Sequence, residues 1–120
     1  MKIYQYPNCS TCRKAVKWLS EEGHDFTSVH IVDDAPDAAT LKDLWERSGL
    51  DLKRFFNTSG QSYRKGGFKE RLPAMSQDEK FEALAADGKL IKRPILDSAE
   101  AVLVGFKLAQ WEEKVGGEEA

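Results

Sequence analysis

Lys2-Ile3-Tyr4-Gln5-Tyr6-Pro7-Asn8-Cys9-Ser10-Thr11-Cys12-Arg13-Lys14-Ala15-Val16 is the stretch on which the reading of this 120-residue chain turns. Its first part gathers Ile3, Tyr4 and Tyr6, β-branched and aromatic residues, and stops at Pro7-Asn8, which predicts a short strand running into a turn. Beyond the turn, Cys12, Ala15, Val16 and Leu19 recur at i, i+3, i+4 and i+7, the apolar stripe of an amphipathic helix. Arg13, Lys14, Lys17 and Glu21 face away from that stripe, Gly23 supplies the stop, and Asn8 or Ser10 supplies the cap. Residues 26–32 alternate Phe26, Ser28 and His30 against Thr27, Val29 and Ile31, a second strand. Strand, helix and strand in so short a span form a βαβ unit with a parallel pair and a right-handed crossover.

Downstream of Asp33-Asp34-Ala35-Pro36 the pattern becomes helical. Leu41, Leu44 and Trp45 share a face that ends at Gly49, and Leu52, Phe55 and Phe56 suggest a shorter turn. Asn57-Thr58-Ser59-Gly60 is a break, and residues 61–74 show no clear period. Ser76 with Glu79 three residues on is a capping box for a helix that turns Phe81, Leu84 and Ala85 inward and closes at Asp87-Gly88. Ile95-Leu96 and residues 101–104 read as a hairpin, residues 107–114 as a closing helix carrying Leu108 and Trp111, and residues 116–120 as a frayed tail. The order βαβ, helical insertion, ββα gives one α/β domain with a thioredoxin-like (glutaredoxin-like) mixed sheet and helices on both faces. The expected boundaries are about 1–34 and 89–115 for the sheet and about 35–88 for the insertion.

Composition narrows the function. At 41% apolar and 32% charged residues, with a mean hydropathy of −0.54, the chain has the make-up of a globular protein, with no apolar run suited to a bilayer. A net charge of −2 gives no overall positive field to hold nucleic acid or an anionic membrane. The N-terminal residues show no secretion signal, so the expected compartment is the cytoplasm, where two close cysteines point to redox or metal chemistry rather than a structural bridge.

A Cys-x-x-Cys at a strand-to-helix junction suits thiol chemistry, because the first helical amides and the positive end of the helix dipole stabilise a thiolate. Cysteines so placed have pKa values of roughly 3.5–7.5. Cys9 sits at the helix mouth and is the expected nucleophile. Cys12, one turn on, is placed to attack a mixed disulfide on Cys9 and release its partner. Arg13 and Lys14 add nearby charge, and Arg13, Ser10 and Thr11 are expected, with Arg93 and Pro94, to bind the substrate or its anionic group. A merely apolar role would explain Cys12 but not Cys9, and zinc would need two more ligands, which His24 and His30, standing apart, do not supply. Lys92-Arg93-Pro94-Ile95 precedes a predicted strand, where an X-Pro bond is eligible for the cis form. If that strand lies beside the first, Arg93 reaches the thiols and can hold an oxyanion or a glutathione carboxylate; otherwise it is one of a solvated pair. Trp18, Trp45 and Trp111 read as core, His24 as solvent-facing, His30 as lacking a visible partner, and Tyr63-Arg64-Lys65 and Lys69-Glu70-Arg71 as solvated faces, although Arg64 has the reach to line a cleft.

Tyr6 to Ala15 together with Lys92 to Ile95 resembles the family of glutaredoxin-linked arsenate reductases and the Spx/MgsR regulators, over roughly Ile3 to Trp111. Phe55-Phe56-Asn57-Thr58-Ser59-Gly60 followed by Tyr63-Arg64 is similar to a subgroup of small bacterial arsenate-reductase-like proteins. The resemblance implies a thioredoxin-like domain with a helical insertion, a nucleophile at Cys9, an anion-holding arginine at Arg93 and a cis Pro94. It also implies an enzyme drawing electrons from glutathione or glutaredoxin, with no bound cofactor or metal, acting on a small disulfide or oxyanion. Two departures qualify this. The family's arsenate reductases have a serine where this chain has Cys12. They also use two further arginines, near the segments matching Phe55 to Ser59 and Gly105-Phe106, that are absent here, so only a residual arsenate reductase activity is expected. The Spx regulators share Cys-x-x-Cys and act as redox switches on the C-terminal domain of the RNA polymerase α subunit, the alternative reading, but carry a longer, more basic tail.

Overall fold

β-Branched and aromatic residues make a central strand, β1 (Lys2–Gln5), of the first segment, and everything in the thiol-bearing half is arranged about it. The computed structural model describes residues 1–116, so the expected tail at 117–120 lies outside the described residues. β1 pairs in parallel with β2 (Thr27–His30), Tyr4 opposite Val29. On its other side it pairs antiparallel with β3 (Ile95–Asp97), which turns back through a hairpin into β4 (Val102–Val104). The order β2-β1-β3-β4 is the mixed, thioredoxin-like sheet expected of a parallel pair extended by a hairpin.

The chain divides into two compact units, one formed by Met1–His30 and the chain from Arg93 onward, the other by Ile31–Lys92. In the first unit, the register aligns Ile3, Leu96 and Leu103 on one face of the sheet, where Ala15 and Leu19 of α1 (Ser10–Glu21) and Trp111 of α6 (Leu108–Lys114) bury against them. Both helices of this unit therefore lie on the same face, rather than one on each. Leu108, expected to face inward, is instead 49% exposed, and the inward positions of α6 are taken by Trp111 and the Val115 that follows it. Trp111 is fully buried and gives its indole N–H to the Gly105 carbonyl at 3.1 Å. Gly105, at φ +79°, takes a left-handed turn that a side chain disfavours, and its own N–H reaches the Pro94 carbonyl at 2.8 Å. His24 is buried, not solvent-facing: Gly23 turns left-handed at φ +79°, the His24 N–H returns to the Leu19 carbonyl, and the ring lies 5.7 Å from that of Trp18.

The second unit is helical. α2 (Ala38–Ser48), capped by Asp37 and ended by Gly49 at φ +70°, packs against α5 (Gln77–Ala86), with Trp45 edge-on to Phe81 at 5.7 Å. The Ser76–Glu79 capping box forms with both its hydrogen bonds, at 2.8 and 3.1 Å. Leu52–Phe55 is a 3-10 turn as the spacing suggested. The segment without a clear period becomes two short helices, α3 (Gln61–Lys65) and α4 (Phe68–Arg71), followed by a 3-10 turn. Tyr63, taken for part of a solvated face because of its basic neighbours, is buried and stacks on Phe68 at 6.2 Å, while Arg71 lies over the Phe68 ring at 4.4 Å. Residues 55–57 and 90–92 run antiparallel through the bonds Asn57 N–H to Leu90 and Lys92 N–H to Phe55, both 2.8 Å. Buried Gly88 sits so near the Ile31–Val32 backbone that an added Cβ would fall onto the Ile31 carbonyl oxygen.

Candidate active site

The end of β1 delivers the chain into a tight turn, Tyr6-Pro7-Asn8-Cys9, closed by the Cys9 N–H on the Tyr6 carbonyl at 2.9 Å, with proline where its fixed φ favours the bend. The turn places Cys9 as the N-cap of α1, in place of the Asn8 or Ser10 expected from side-chain type. Its sulfur accepts the Cys12 N–H at 3.3 Å, taking over the work an oxygen does at ordinary helix starts. A sulfur accepts more strongly as a thiolate than as a thiol, so capping the helix favours the Cys9 thiolate.

Cys9 is half-buried and Cys12 fully buried, and both are free thiols. Partial burial works against a charged Cys9, but it is outweighed by the Cys12 thiol and N–H directed at its sulfur, by the Arg93 charge and by the Thr11 N–H, so its pKa lies below the ordinary thiol value. Cys12 goes the other way: burial, joined by hydrogen bonding and repulsion from Cys9, pushes it up to about 12, against the Tyr6 N–H that its sulfur accepts at 3.5 Å and the Arg93 charge. The thiolate is favoured at one sulfur, and the protonated thiol at its neighbour. Opposed shifts of this kind in adjacent groups assign roles.

Arg93, half-buried, reaches the thiols from the start of the hairpin, and the Arg93–Pro94 bond is cis. Its guanidinium carbon lies 5.0 Å from the centre of the Tyr6 ring, a cation–π contact. Tyr6 in turn is edge-on to His30 at 5.6 Å, so His30 does have a partner. Tyr6 is the residue that sequence reasoning passed over as an ordinary strand aromatic. The available signal was its place, directly after the first strand and ahead of the thiol loop. Arg13, expected to bind anions, donates to the Pro7 carbonyl at 2.8 Å and braces the turn. Ser10 and Thr11 are exposed on the first turn, with only the Thr11 N–H turned to Cys9. Among the described residues no cluster of three or more His, Cys, Asp or Glu side chains is arranged to hold a metal ion, and no helix is long and apolar enough to cross a membrane.

A family model described as the ArsC family matches residues 4–114. The uncharacterized protein YusI of Bacillus subtilis (strain 168) is 54% identical over 113 residues, covering 94% of this chain and 96% of that protein. An arsenate reductase of Neisseria meningitidis (serogroup B, strain MC58) is 30% identical, covering 90% and 92%, and the regulatory protein MgsR of Bacillus subtilis (strain 168) is 26% identical, covering 88% and 82%. A crystal structure of an ArsC-family-related protein from Bacteroides fragilis superposes with a TM-score of 0.89 at 46% identity, covering 93% of this chain and 94% of that one.

Proposed function

This chain belongs to the ArsC family, and from that premise we propose that it is a thiol–disulfide oxidoreductase supplied with electrons by glutathione or glutaredoxin, with Cys9 as nucleophile and Cys12 as resolving thiol. The observation that carries this reading is the pair of opposed environments at Cys9 and Cys12, one favouring the thiolate and the other the thiol. Cys9 thiolate attacks one sulfur of a substrate disulfide, and the other sulfur leaves as a thiolate that takes up a proton. Cys12 then attacks the Cys9 sulfur of the mixed disulfide. Its proton passes to the departing thiol, and a Cys9–Cys12 disulfide remains. Two glutathione thiols reduce that bond and leave as glutathione disulfide, so two electrons enter and two are delivered. Arg93 holds a carboxylate or oxyanion of the substrate beside Cys9. Arsenate is a weaker substrate on this reading, because a doubly charged oxyanion meets a single arginine.

The test is turnover of a small glutathione mixed disulfide coupled to glutathione and its reductase. Cys9→Ser should lose activity altogether, whereas Cys12→Ser should accumulate a covalent glutathione adduct visible by mass spectrometry. Activity in Cys9→Ser equal to that of the unsubstituted chain would sink the assignment. Similarity to MgsR favours a second reading, a redox switch that binds the C-terminal domain of the RNA polymerase α subunit. Binding of that domain in one redox state only, with no disulfide turnover, would establish it.

A further inference from the structure

The residues named in the thiol reading all lie in the first unit, and the second, Ile31–Lys92, holds none of them. In that unit, charge is uneven. Between residues 51 and 75, Lys53, Arg54, Arg64, Lys65, Lys69 and Arg71 stand against only Asp51 and Glu70, in a chain whose net charge is −2. This basic stretch surrounds a cavity of about 240 Å³ walled by Phe56, Tyr63, Leu72 and Pro73, the first three buried. Lys53, Lys69 and Lys80 line the same cavity. Among the described residues none of these three lysines is held in an ion pair, so their charges are available to a ligand.

The cavity does not stand alone. One neighbouring depression shares Lys53 and Phe56 and adds Arg54 and Lys92; another shares Tyr63 and Lys69 and adds Arg64 and Glu70. The surface is thus a track with an apolar hole near its middle and cations along it. Sites that enclose a cofactor or drug-sized ligand span roughly 300–1,000 Å³, so this hole suits one large side chain better than a whole metabolite. Apolar burial at the centre and ammonium groups around it complement an aromatic anchor flanked by carboxylates. Nucleic acid fits less well. Phe56 and Tyr63 are turned inward rather than displayed for base stacking.

The geometry points to a docking surface for an extended acidic segment of a partner protein, with one aromatic residue seated between Phe56, Tyr63 and Leu72 and its flanking carboxylates on Lys53, Lys69 and Lys80. The inference stands apart from the thiol reading, since none of these residues takes part in it.

Fluorescence anisotropy of a labelled peptide Asp-Glu-Asp-Phe-Asp-Glu-Asp with the full chain tests it. Saturable binding that weakens as salt is raised is expected, together with a loss of more than about tenfold when the central Phe becomes Ala. Lys53→Glu with Lys69→Glu should lose more than about tenfold, and Lys53→Gln with Lys69→Gln a smaller factor, while the melting temperature and the alkylation rate of Cys9 stay unchanged. No saturable binding, equal binding to the charge-reversed variant, tighter binding of an oligothymidylate, or phenylacetate binding as well as the peptide would each overturn the proposal. The last two results would assign the surface to nucleic acid or to a small carboxylate.

Discussion

Tyr6 bears on both thiols and on Arg93 through its backbone and its ring rather than through its hydroxyl. Its backbone N–H meets the Cys12 sulfur, its carbonyl closes the turn that positions Cys9, and its ring carries the Arg93 guanidinium. Tyr6→Phe keeps the aromatic face and should leave Cys9 nearly as acidic as before. Tyr6→Leu removes that face, and Arg93→Ala removes the charge, so both should move the Cys9 titration upward. The measurement is the rate of iodoacetamide alkylation against pH, which follows the thiolate. In the unsubstituted chain its midpoint should fall below the ordinary thiol value, with Cys12 contributing only as pH approaches about 12. At a fixed pH below its pKa, a thiol loses about tenfold in reactive fraction for each unit its pKa rises, so neutral pH separates the variants well. A Tyr6→Leu profile that coincides with the original would show the ring contact to be idle. The cysteines and Arg93 were legible in the sequence because Cys-x-x-Cys and Arg-Pro are patterns of residue type. Tyr6 was not, since its part depends on which strand lies next to β1, and pairing across the chain leaves no local trace. The capping role of Cys9 was hidden for another reason: cap preferences are ranked on oxygen side chains, and here a sulfur does the work.

At the scale of elements, periodicity sufficed wherever one face of a helix or strand is buried and the other wet. α1, α2 and α5 follow that alternation, whereas β1, β3 and β4 bury consecutive residues and were legible from their β-branched, aromatic and apolar content instead. Periodicity failed for α3 and α4, helices of five and four residues too short for a 3.6-residue period to repeat, held by Tyr63 on Phe68 and by Arg71 over the same ring. His24 misled for a related reason, because a polar residue after a helix-ending glycine is read as exposed unless the left-handed turn that tucks it under Trp18 is known. Close approach of backbones is equally silent in sequence. Gly88→Ala would drive a methyl group into the Ile31–Val32 main chain, neither of whose atoms can rotate away, and should lower stability by about 1–3 kcal/mol in urea unfolding. Ser76→Ala, which breaks one arm of the capping box, should cost about 1 kcal/mol by the same measurement. Gly88→Ala proving milder than Ser76→Ala would mean that the Ile31–Val32 segment yields easily.

Over the whole molecule, the first unit is assembled from the two ends of the chain. Ile3 from the N-terminal half shares one hydrophobic cluster with Leu96, Leu103 and Trp111 from the C-terminal half. Trp111, fully buried and edge-on to Phe106 at 4.9 Å and to Trp18 at 6.1 Å, anchors that cluster. Trp111→Ala should lower stability by about 3–5 kcal/mol and the melting temperature by on the order of 10 °C or more, followed by circular dichroism. A drop of a degree or two would mean that the cluster refills around the gap. The same arrangement puts a delay into the birth of the protein. Arg93 follows Cys9 by 84 residues; at roughly 5–20 residues per second, seconds of synthesis separate them. Through that interval the nascent chain exposes a cysteine that lacks the guanidinium and the hairpin behind it. The Arg93 contribution to lowering the Cys9 pKa arrives only when the hairpin of β3 and β4 closes on β1, so a chain cut short of Arg93 should be alkylated more slowly at Cys9 at neutral pH.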